Sequence, residues 1–95
     1  MPRYAEALRL KPEYAEAYSN IGNAFALQGK LADAVQRYVE ALRINPSYAE
    51  VHYNLALALA AQGKRDEAAA HIAEASRLRP DLREVYRKSG LSQAQ

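Results

Sequence analysis

Ninety-five residues with a formal net charge of +2, 49% hydrophobic and 25% charged, describe one soluble folding unit. The absence of cysteine removes disulfides, thiolate nucleophiles and cysteine-bound metals. No apolar run reaches the ~20 residues that cross a bilayer, and no signal-peptide pattern opens the chain, so a soluble, cytoplasmic protein without membrane insertion is expected. Each half carries about +1, and the loose cluster Arg77, Arg79, Arg83, Arg87 and Lys88 is interrupted by Asp81 and Glu84. That pattern is a solvated helix face, and no nucleic-acid contact is expected from it.

Apolar residues recur at helical spacing, broken by two kinds of punctuation. Gln28-Gly29-Lys30 and Gln62-Gly63-Lys64 place a glycine where a helix closes through left-handed backbone. Lys11-Pro12-Glu13, Asn45-Pro46-Ser47 and Arg79-Pro80-Asp81 end a helix, because proline lacks a donor and pushes its predecessor out of the α region. The breaks predict helices at 2–10, 14–28, 31–44, 48–62, 65–78 and 82–90. Ser47 and Asp81 are predicted to cap the helices that follow them.

The chain repeats itself at a period of 34 residues. AEAYSNIGNAFALQGKLADAVQRYVEALRINPSY (15–48) and AEVHYNLALALAAQGKRDEAAAHIAEASRLRPDL (49–82) share 13 identities. Residues 3–14 (RYAEALRLKPEY) match 37–48 (RYVEALRINPSY), and 83–90 (REVYRKSG) resemble 15–22 (AEAYSNIG). The expected organisation is a single domain of four segments. Residues 1–14 are the second helix of a partial repeat, 15–48 and 49–82 are whole repeats, and 83–95 hold the first helix of another. A fixed period of this length implies an all-α solenoid, in which each unit buries its apolar face against the next.

The residues that recur most strictly resemble the tetratricopeptide repeat family. Its pattern is met by Tyr18, Ile21, Gly22, Phe25, Ala34, Tyr38, Ala41 and Pro46, and again by His52, Leu55, Ala56, Leu59, Ala68, Ile72, Ala75 and Pro80. The resemblance implies a right-handed solenoid of antiparallel helix pairs, two full repeats flanked by two half-repeats. Small residues at Gly22, Ala34, Ala41 and their counterparts let the helices approach closely. Residues 17–23 (AYSNIGN) and 53–59 (YNLALAL) are similar to the repeats of O-linked N-acetylglucosamine transferases. In that family an asparagine at the sixth position of successive repeats forms a ladder along the inner groove. Here the rungs are Asn20 and Asn54, followed by Lys88. A carboxamide offers donors and an acceptor to any peptide group, which suits sequence-tolerant binding.

The same numbering puts Glu16, Ser19, Asn23, Ala26, Leu27, Glu50, Tyr53, Leu57, Ala60 and Ala61 on the groove, with Tyr53 as an anchor. The implied peptide-binding set is Asn20, Asn23, Leu27, Tyr53, Asn54, Leu57 and Lys88. A carboxylate clamp, another use of the groove in the family, does not fit. Ser19 stands where a lysine is needed, and Glu84 reverses the charge at a second position.

Nothing in the chain calls for catalysis, a metal or a cofactor. His52 occupies a packing position and His71 the outer helix, and neither has ligand-type neighbours at metal-binding spacing in the sequence. Protonation of His52 is expected to loosen its packing mildly. Tyr4, Tyr18, Tyr38 and Tyr86 fall on core-facing positions, and Tyr14 and Tyr48 at inter-repeat turns. The expectation is a non-catalytic scaffold that binds a protein or an extended peptide in its concave groove. Two alternatives stand beside it: homo-oligomerisation through the half-repeat ends, and the substrate-recruiting piece of a larger protein such as a bacterial-type glycosyltransferase.

Overall fold

A computed structural model describes residues 13–81, and within them four helices and no strands. They are α1 (Glu13–Leu27), α2 (Leu31–Ile44), α3 (Ala49–Ala61) and α4 (Arg65–Leu78). Each expected boundary in this region holds to within one residue. The expected helices at 2–10 and 82–90, with the half-repeats they belong to, lie outside the described residues.

The turns inside the two hairpins are built alike. Gly29 has φ 78° and Gly63 φ 85°, the left-handed backbone that a Cβ disfavours. In the first, the Lys30 amide donates to the Phe25 carbonyl at 2.9 Å and the Gly29 amide to Ala26 at 3.0 Å. In the second, Lys64 donates to Leu59 and Gly63 to Ala60, each at 2.9 Å. These paired bonds satisfy carbonyls that the end of a helix leaves open, and they fold the next helix back antiparallel.

The turn between the repeats departs from expectation. Ser47 does not cap α3: its backbone amide donates to Asn45 Oδ1 at 3.2 Å, and the cap position is Tyr48, with no side-chain capping bond. The Asn45 carboxamide has already organised the turn, so the chain enters the helix one residue later. Tyr48 then packs its ring on the core. Asp81 is held by Arg79, whose Nε and Nη2 donate to its two carboxylate oxygens at 3.2 and 2.6 Å.

The hairpins α1–α2 and α3–α4 stack through α2 against α3. The core between them holds Ala34, Tyr38, Ala41, Val51, Leu55 and Ala56, all buried. Gly22 sits where α1 crosses Tyr38, and a Cβ there would lie 2.7 Å from Tyr38 Cε1. Ala56, the equivalent of Gly22 in the second repeat, is buried, and Ile72, the equivalent of Tyr38, packs against the same core. A methyl group gained on one helix goes with a ring lost on the other, so packed volume is kept between repeats.

A cleft between α1, α2 and α3

Asn23 is on the last turns of α1, facing Tyr38 of α2 across the gap that Gly22 allows. The buried Tyr38 ring carries its hydroxyl to Asn23 Oδ1 at 2.5 Å. Burial pushes the Tyr38 phenol above its ordinary pKa, which keeps it a proton donor. Asn54, from α3, donates to the same Asn23 oxygen at 3.3 Å. Two donors converging on one oxygen fix the orientation of the Asn23 amide, so its NH₂ group is turned the other way.

Above this polar contact opens a cleft of about 350 Å³. Its walls are aliphatic: Ala26 and Leu27 from α1, Leu31 from α2, Leu57 and Ala58 from α3. Leu27, at 90% exposure, is its outermost wall. The arrangement offers amide donors from Asn23 and a carbonyl oxygen from Asn54 beside apolar surface. Those are the groups that an extended polypeptide backbone and its alternate side chains can use.

Of the residues expected on a groove, the fold gathers Asn23, Leu27, Asn54 and Leu57 around this cleft, with Ala26. Asn20 is exposed on α1 and is not among the lining residues. Tyr53 is not there either: it is half-buried against Ala49 and Ala75, beside Leu78. Ser19 is buried rather than on a groove surface. Glu50 is engaged by Arg79. Lys88 lies outside the described residues.

Tyr38 was expected only as core, yet its hydroxyl reaches the cleft. The repeats themselves carried the signal. Asn23 and Tyr38 of the first become Leu57 and Ile72 in the second, so a polar pair is exchanged as a pair for an apolar one. The histidines, expected to lack ligand-type neighbours, are brought together by the fold, their Nδ1 atoms 3.0 Å apart. Among the described residues no group of three or more histidine, cysteine or carboxylate side chains could hold a metal ion. No described helix is long and apolar enough to cross a membrane.

Family comparisons agree with this architecture. A family model described as TPR repeat matches residues 3–29 and 22–63, and one described as tetratricopeptide repeat matches 49–82. The chain belongs to the tetratricopeptide repeat family. Comparison with curated proteins gives no match. Among solved structures, one described as "Crystal structure of MamA" is 25% identical, with a TM-score of 0.68 over 84% of this chain and 49% of that one. Another, "Crystal structure of MamA protein", is 25% identical with a TM-score of 0.65 over 84% of this chain and 46% of that one. The tetratricopeptide chain described here therefore spans about half the length of these MamA chains.

Proposed function

We propose that this tetratricopeptide chain is a non-catalytic scaffold that holds an extended peptide, or an extended segment of a protein partner, in the cleft between α1, α2 and α3. The observation that carries this reading is the doubly bonded Asn23 oxygen. With that oxygen occupied, the amide donors of Asn23 and the carbonyl of Asn54 are left for a ligand, beside Leu27, Leu31 and Leu57. Peptide groups are the same in every sequence, so such a site takes its affinity from backbone pairing and its selectivity from apolar pockets. The likeness of residues 17–23 and 53–59 to O-linked N-acetylglucosamine transferase repeats supports the same chemistry. The proposed contacts centre on Asn23 and Asn54 rather than on a ladder from Asn20, and Tyr53, packed against Ala49 and Ala75, is no part of them.

The test is capture of partners by the chain and by Asn54→Ala, with peptides identified from each, then titration of a captured peptide. Removing Asn54 leaves Tyr38 bonded to Asn23, so the fold should persist. Affinity should fall about tenfold, the equivalent of ~1.4 kcal/mol. Equal affinity for both proteins would sink the proposal.

A second reading, self-association, draws on the outer face of α1. Ile21 is 44% exposed, whereas Leu55, its counterpart in the second repeat, is 2% exposed under α2. Tyr14, Ala17 and Ala24 continue that exposed stripe. Light scattering over a concentration series tests it, and a constant monomer mass would dismiss it.

A further inference from the structure

Away from the cleft, α3 and α4 meet through the two histidines. His52 Nε2 lies 2.9 Å from the Pro46 carbonyl oxygen. A carbonyl only accepts, so this nitrogen carries the hydrogen, and neutral His52 presents a bare lone pair at Nδ1. His71 Nδ1 faces that lone pair at 3.0 Å and must be the donor. The ring centroids are 5.2 Å apart and the planes inclined by 29°, so the rings meet edge to edge with their nitrogens opposed. One chain of bonds thus links α4, α3 and the inter-repeat turn. His52 itself is buried.

We propose that the His52–His71 pair is a proton-operated clip, closed while one lone pair remains between the two Nδ1 atoms and opened when both rings are charged. A first proton, on either ring, still leaves one lone pair between the two Nδ1 atoms, so the bond persists in charge-assisted form. A second sets N–H against N–H, and α4 loses its tie to α3 and the turn. Asn54 and Leu57 are on α3 within two turns of His52, so the clip acts on a helix that walls the cleft. It does not depend on the cleft having a ligand.

The surroundings set the direction of the pH dependence. Burial first, and His52 second, lower the His71 pKa, while Glu67 and Glu74 from α4 pull the other way. Arg77 holds the Glu74 carboxylate, and Arg79 holds Glu50 at the start of α3. Tyr48, one turn before His52, stays neutral because burial, Glu16 and Glu50 raise it. The unfolded chain therefore binds more protons than the folded one just below the ordinary histidine value of about 6.5. Stability is complete above that value and declines as pH falls through it.

The experiment uses the full chain and His71→Gln. Glutamine can turn either its NH₂ or its carbonyl toward His52, so it meets both protonation states. The thermal midpoint of the native chain should drop by about 5 °C more between pH 7.5 and 5.5 than that of His71→Gln. Nitrogen NMR of the imidazoles at pH 8 should show hydrogen on His52 Nε2 and on His71 Nδ1. A His71 hydrogen on Nε2, or parallel midpoints in the two proteins, would overturn the proposal. The NMR result stands even if the variant does not fold.

Discussion

Asn23 and Tyr38 show how much one hydroxyl carries. The Tyr38 ring is core, with its apolar bulk filling the gap opposite Gly22, while its oxygen orders the amide at the foot of the cleft. Tyr38→Phe keeps the ring and removes the donor. The Asn23 oxygen still has Asn54, so the stability loss should be about 1 kcal/mol, read from urea unfolding. The Asn23 amide should also become mobile, visible as broadened side-chain NMR signals. A loss of several kcal/mol would mean that the hydroxyl supports more than this contact.

Between helices, the decisive quantity is the distance of closest approach. Alanine at position 22 gains about 1 kcal/mol of helix propensity over glycine, but its Cβ would stand 2.7 and 2.8 Å from two Tyr38 ring carbons. The ring is buried and bonded at its hydroxyl, so it has little room to move, and overpacking of about 1–3 kcal/mol should dominate. Gly22→Ala is therefore expected to destabilise, and Gly22→Ala with Tyr38→Ile to recover most of that loss, because Ala56 with Ile72 already serves the second repeat. Chemical denaturation of the three proteins checks the pattern. Failure of the double variant to recover would show that the two repeats do not share one crossing geometry. The helices and the glycine turns were legible in the sequence, since each depends on residues close in the chain or repeated at a fixed offset. The Ser47 cap was misread because the Asn45 carboxamide accepts from the Ser47 amide and turns the chain, which leaves Tyr48 at the cap position with no side-chain capping bond.

For the array as a whole, the seam between α2 and α3 is where one repeat stabilises the next. Leu55 is enclosed there, and Leu55→Ala should cost about 2–5 kcal/mol. Ile21 has the same place in its own repeat but lies half-exposed, and Ile21→Ala should cost about 1 kcal/mol or less. Thermal or urea unfolding of the two variants at low concentration measures this asymmetry. Equal losses would mean that the outer face of α1 is as well covered as α3.

The 34-residue period, the glycines and the prolines were enough to fix helix order, hairpin turns and stacking, because these follow from local backbone freedom and from a face that must be buried. The contacts across helices were another matter. Whether an asparagine lines a cleft or stands alone on a surface, and whether two histidines nineteen residues apart touch, depends on the rotation and separation of packed helices. Those are set by side-chain volumes acting together, as at Gly22 and Tyr38, and a pattern read along one strand of text does not contain them.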